Sequence, residues 1–129
     1  MSFAAYPRIL TGPDGSAYFE EYEHPTTTRE YVPGNPVTMT EPFDASGFLI
    51  QRLQPGDFQA WHTSPRPHVA ITLAGEVEIS VGSGEHRRFR AGELYVGLDL
   101  TGQGHETRVI GDADWIVGVV SLDEQGSLP

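Results

Sequence analysis

Apolar and polar residues alternate with a period of two through much of the second half of this chain. Val77, Ile79 and Val81 are interleaved with Glu76, Glu78 and Ser80, which predicts a strand with one face in a core and its acids in water. Gly82-Ser83-Gly84 follows and predicts a hairpin, because glycine reaches the positive φ that such turns require. The return strand runs over about His86 to Arg90. Val69 to Leu73 is a nearly continuous apolar run rich in β-branched residues, as expected of a strand covered on both faces, and Gly75 ends it. Phe48 to Leu53, closed by Pro55-Gly56-Asp57, reads as another strand. So do Glu93 to Leu98, His105 to Ile110 and Trp115 to Ser121. Turn signals recur about every eight to twelve residues, the rhythm of a β-sandwich or barrel, and no helix-period stretch of useful length competes with it.

The first forty-odd residues are less regular. Tyr18 to Glu23 alternates weakly and Val37 to Thr40 is a candidate strand, but Pro33-Gly34-Asn35-Pro36 breaks the region. It reads as an extended arm with one or two edge strands, lying on the barrel or on a neighbouring subunit. The expected organisation is an N-terminal arm over residues 1–44, a barrel over 45–121 and an acidic, frayed tail over 122–129. At 129 residues the chain is long enough for one core and short for two. Its 15 glycines and 10 prolines are spread along the length, so they mark turns between short elements and not a disordered tail.

Charge narrows the partners. The formal net charge is -10, and all 8 basic residues are arginines. Such a chain is repelled by nucleic acid and by anionic membranes, so neither is an expected partner. Arg87, Arg88 and Arg90 form the one basic cluster, and neighbours such as Glu85 and Glu93 make it a salt-bridged strand face. There is no cysteine, which excludes disulfides, thiolate zinc sites and cysteine nucleophiles. Met1 to Leu10 lacks the apolar core of a leader, and no run approaches the ~20 apolar residues of a membrane helix. A soluble cytoplasmic protein is the expectation.

The candidate chemistry lies in two segments. Gly56 is followed by five residues and His62, then Thr63-Ser64-Pro65-Arg66-Pro67, His68, six residues and Gly75; later comes Gly102-Gln103-Gly104-His105. Neutral imidazole is the commonest metal ligand, and three from neighbouring strands can cap one side of a divalent ion and leave positions open. The alternative is three ordinary polar residues at strand ends.

The pattern resembles the cupins, small double-stranded β-helix barrels of jelly-roll type. Their first motif reads Gly, five residues, His, one residue, His, three or four residues, Glu, six residues, Gly. Gly56, His62 and Gly75 fall on their places, while Ser64 stands at the second His and His68 at the Glu. Gly102 and His105 match the end of the second motif, and Ala91-Gly92-Glu93 resembles the turn ahead of it. Leu100 and Val109 replace its usual proline and asparagine. The stretches Trp61 to Arg66 and Leu73 to Ile79 are similar to a set of small bacterial single-domain cupins of unassigned function, which tend to carry Gln in place of His68.

The resemblance implies an all-β cupin barrel with an irregular N-terminal arm and a divalent metal in its mouth. Carried over, His62, His68 and His105 are the candidate ligands and Ser64 is not. Three imidazoles without a carboxylate suit zinc, iron, nickel or copper better than magnesium or calcium. Arg66, held between two prolines, is placed to grip a substrate carboxylate, the alternative being an ion pair with one of the many acids. Tyr95 is either a wall of the pocket and proton donor or a core aromatic. Asp99 either orients a histidine from behind or is a turn residue bonded to its own backbone. Trp61 is expected to point away from His62 and pack between sheets, and His24 and His86 to face solvent. Two functions follow: a metal-dependent oxygenase, isomerase or lyase acting on a small, anionic organic molecule, or a non-catalytic barrel that binds or senses one. A homodimer is expected in either case.

Overall fold

All regular structure in residues 2–123, the part that the computed structural model describes, is β-strand. In chain order the strands are β1 (Ala5–Thr11), β2 (Ala17–Glu23), β3 (Thr26–Val32), β4 (Asn35–Thr40), β5 (Ala45–Leu53) and β6 (Phe58–His62). They continue with β7 (His68–Ala74), β8 (Glu76–Val81), β9 (His86–Arg90), β10 (Leu94–Gly97), β11 (His105–Ile110) and β12 (Trp115–Leu122). A six-stranded sheet, β2-β1-β10-β7-β12-β5, faces a four-stranded sheet, β6-β11-β8-β9. The β3–β4 hairpin forms a two-stranded sheet by itself.

The period-two strands of the second half form where expected. Val77, Ile79 and Val81 point into the barrel. Arg88 pairs with Glu76 and Glu78, Arg90 with Glu76, and Arg87 with Glu85 and Glu21, which explains the basic cluster as a paired strand face. The region before residue 45 is more ordered than its pattern suggests. β1 lies inside the large sheet, antiparallel to β2 and parallel to β10 through Arg8↔Val96 and Ile9↔Gly97. Pro7 conceals this strand from a sequence reading. It is tolerated because it lies outside the short stretch paired with β10, where its missing N–H would be needed. At the other end, Leu122 is a buried strand residue, and the remainder of the expected tail, residues 124–129, lies outside the described residues.

Each face of the large sheet carries its own apolar cluster. Ile9, Phe19, Ala70, Tyr95, Trp115 and Val117 point inward and pack with Val77, Ile79 and Phe89 of the small sheet. Tyr6, Val69, Val96 and Leu122 point outward and gather Tyr22, Phe43, Ile71 and Val120. β7 is therefore covered on both faces at its start and not at its end, where Leu73 is exposed. Trp61 does not pack between the sheets. It is 41% exposed, because β6 is an edge strand whose outer side meets water, and the buried tryptophan is Trp115, whose indole donates to Thr72 Oγ1 at 3.1 Å.

Candidate ligand site in the barrel mouth

A cavity of about 440 Å³ opens between the two sheets. His62, Arg66, His68, Tyr95 and His105 all line it, over a wall that includes Leu53, Trp115 and Val117. Backbone geometry brings the first and last histidines together. β6 and β11 pair with His62 opposite His105, and the register shifts just beyond. Gly104 makes the approach possible. Its φ is +80°, and a β-carbon there would overlap the His62 carbonyl. The two imidazole centroids consequently lie 4.5 Å apart.

Asp99 is fully buried behind these rings. Its carboxylate accepts from Ser64 Oγ at 2.7 Å and from His105 Nδ1 at 2.6 Å, while the Ser64 amide donates to the Asp99 carbonyl at 3.0 Å. Ser64, which the sequence resemblance sets at the place of a metal ligand, here anchors the carboxylate that holds His105. Nothing in the sequence pairs these residues. Gly97 provides the room, since a β-carbon there would meet His68 Cε1 at 2.5 Å and Ser64 Oγ at 2.6 Å.

The same hydrogen-bond logic fixes all three imidazoles. His62 Nδ1 lies 2.8 Å from the Ala60 carbonyl and His68 Nδ1 3.0 Å from the Arg66 carbonyl. Carbonyls and carboxylates only accept, so each Nδ1 carries a proton, and the neutral form of each ring has its lone pair on Nε2. Burial, foremost, holds His68 below the ordinary imidazole pKa, with the His105 and His62 rings adding to it against the Arg66 carbonyl and Asp99. Burial also pushes the Tyr95 hydroxyl upward, helped by Asp99. Tyr95 is at once a core residue, packed on Phe89, and part of the cavity wall.

Because His68 is depressed in the folded state, the unfolded chain binds more protons between the folded value and the ordinary one near 6.5. The fold therefore holds its full stability above about pH 6.5 and loses part of it as pH falls through that window. Thermal melts of metal-free protein between pH 8 and pH 5 should show this decline, and His68→Gln should flatten it. An equally steep decline in the variant removes His68 as its source.

His24 is buried, contrary to the solvent-facing reading. Its Nδ1 lies 2.7 Å from the Tyr6 hydroxyl and its ring stacks on Phe43 at 4.2 Å. Burial pushes the Tyr6 hydroxyl to about 12. This pair belongs to the outward cluster, remote in the fold from the mouth, and the irregular sequence around Pro25 hides it. His86 is exposed.

The donor set suits a borderline transition ion in its chemistry, with three imidazoles each backed by an acceptor on Nδ1. In its placement it does not close: among the described residues no three His, Asp or Glu side chains stand where they could share one ion.

The chain matches no protein-family model and no curated protein. Solved structures resemble it. A Cupin 2 conserved barrel domain protein from Salinispora arenicola is 18% identical over 77% of this chain and 76% of that one, with a TM-score of 0.50. A conserved protein with a double-stranded beta-helix domain from Klebsiella pneumoniae is 22% identical over 75% and 85%, with a TM-score of 0.49. A predicted oxalate decarboxylase from Thermotoga maritima is 19% identical over 76% and 92%, with a TM-score of 0.48. The chain has the cupin fold, a double-stranded β-helix barrel.

Proposed function

We propose that the barrel mouth of this cupin binds a small organic anion, its acid group on Arg66 and its body against the apolar wall. The observation that supports this reading is the cavity itself, which sets Arg66 beside three imidazoles in an otherwise acidic chain. Among the described residues Arg66 has no ion-pair partner, so its guanidinium is available to a ligand. Pro65 and Pro67 restrict the backbone on either side of it. A bidentate, charge-assisted contact of this kind contributes roughly 1.5–3 kcal/mol. A thermal-shift screen of small carboxylates should therefore yield ligands that Arg66→Lys binds some ten- to a hundredfold more weakly, since lysine keeps the charge and loses the fork. Equal stabilisation of both proteins removes Arg66 from the site.

The three Nδ1-anchored imidazoles favour a second reading, in which His62, His68 and His105, too far apart to share an ion as they stand, draw together around a divalent transition metal. Tag-free protein loaded with zinc, iron, nickel or copper should then retain about one ion per chain, with affinity falling below pH ~6 as imidazole protonates. His105→Ala should abolish retention; unchanged metal content removes that residue from the site. Stoichiometric metal supports a metal-dependent oxygenase, isomerase or lyase, and none supports a barrel that binds or senses its ligand without chemistry. In either case we take the acting unit to be a cytoplasmic homodimer, because β5 ends its sheet as a long apolar strand with no further partner among the described residues.

A further inference from the structure

Beneath the imidazoles the cavity has a second polar level. On the large sheet, β10 and β7 pair Gly97 with His68, and two residues further in they pair Tyr95 with Ala70. On the small sheet, β6 and β11 pair His62 with His105, and the next inward-facing residue of β11 is Thr107, opposite Gln59. Tyr95 and Thr107 therefore stand one strand step below the imidazoles, about 6–7 Å deeper, one on each sheet. The 6.1 Å between the ring centroids of His68 and Tyr95 agrees with that step. Both side chains line the cavity.

Neither residue needs its hydroxyl for packing. The inward neighbours of Thr107 are Val109 on its own strand and Val77 and Ile79 on β8, all buried and apolar. Valine would fill the same place. Phenylalanine would likewise pack on Phe89 as Tyr95 does, with 5.0 Å between centroids. Yet Thr107 is only 3% and Tyr95 4% exposed, and among the described residues neither hydroxyl makes a hydrogen bond. Thr72, also buried in the barrel, has the usual arrangement, its hydroxyl accepting from the Trp115 indole. A buried hydroxyl without a partner costs stability, and two that face one cavity call for a partner from outside the chain.

We infer that the ligand of this site is a bifunctional acid. Beyond the carboxylate held by Arg66 it carries a hydroxyl or carbonyl oxygen, which Tyr95 and Thr107 hold deeper in the barrel. This rests on the anion reading above and narrows it. Arg66 precedes His68 by two residues, so the carboxylate belongs at the level of the imidazoles. An oxygen on the carbon next to it stays at that level, and only a distal one reaches the two hydroxyls. The carbons between lie against Leu49 and Val119 of the cavity wall. A bare hydrocarbon body would instead seal both hydroxyls in without partners.

Pairs of acids that differ by one oxygen test this by titration calorimetry on the full chain. The probes are hexanoate against ω-hydroxyhexanoate and phenylacetate against para-hydroxyphenylacetate, with α-hydroxyhexanoate as the proximal control. In wild type the distal oxygen should tighten binding about tenfold or more, and the proximal one should change little. Thr107→Val and Tyr95→Phe should each remove part of that gain, and the double variant should bind both members of a pair alike. Because neither hydroxyl has a partner within the described residues, each single variant should melt at or above the wild-type temperature. A fall of several degrees in either reveals an internal partner and overturns the inference. A distal gain that survives in the double variant overturns it too. Probes that bind through Arg66, weakened by Arg66→Lys, without any distal gain keep the anion reading and overturn this one. So does failure of all five acids when other carboxylates bind, whereas a chain that binds no carboxylate overturns both.

Discussion

Gly104→Ala should be among the most damaging single substitutions in this protein, lowering the melting temperature by on the order of 15 °C. Two effects add. A left-handed φ of +80° is strained for any residue with a β-carbon, by roughly 1–2 kcal/mol. That carbon would also overlap the carbonyl of His62, and forcing atoms into a packed site adds roughly 1–3 kcal/mol. In a domain of this size each kcal/mol moves the midpoint by about 3–6 °C. Gly84→Ala separates the two effects, since Gly84 has a φ of +94° but nothing within 4 Å of a built β-carbon. It should show the conformational part alone. If the two variants melt together, the close approach of β6 to β11 is not what Gly104 is there to permit. The damage should also be local in kind: spreading β6 from β11 separates His62 from His105, so ligand binding should fail at temperatures where the fold survives.

Asp99→Asn should act on binding more than on folding. The carboxylate now accepts from both Ser64 Oγ and His105 Nδ1. An amide can still accept from Ser64, but it then turns its NH2 towards His105. Nδ1 must become the acceptor, and the ring proton moves to Nε2. His105 thereby loses the lone pair it keeps for the cavity. Any ligand or metal that uses this nitrogen should bind at least tenfold more weakly, equivalent to about 1.4 kcal/mol. Nitrogen-15 shifts of the imidazole report the tautomer directly. Asp99→Ala leaves two buried donors without partners, at roughly 1–3 kcal/mol each, and should destabilise the fold instead. An Asn variant with the original tautomer and undiminished binding would show that Asp99 is structural only.

Both predictions depend on features of different legibility. The strands of the second half are readable because burial on one face imposes a period of two, and Glu76 to Val81 has little else acting on it. β1 is not readable, since Pro7 and Arg8 interrupt its pattern and its partner β10 lies more than eighty residues away. Among the residues that line the mouth, His62, His68 and His105 stand out by type and spacing, Arg66 by the prolines beside it, and Tyr95 is legible only as an aromatic of wall or core. How close their nitrogens come is a matter of ångströms, and spacing carries no such information. Ser64 reads as a failed ligand because its partner, Asp99, is 35 positions along the chain. His24 reads as solvent-facing because nothing local announces Tyr6, 18 positions before it.

The order of the large sheet has a kinetic consequence. β1 meets β10 and β5 meets β12, so both flanks of the sheet join strands from opposite ends of the chain. Neither flank can close on a ribosome-bound chain until its last strand has emerged. Until then the apolar residues of β5 have no neighbour on either side. Folding dominated by such distant pairings belongs in the millisecond-to-second range and exposes sticky edges while it waits. A chain ending before β12 would be left permanently in that state, and should collect in aggregates, whereas one lacking only the β3–β4 hairpin should still complete its barrel.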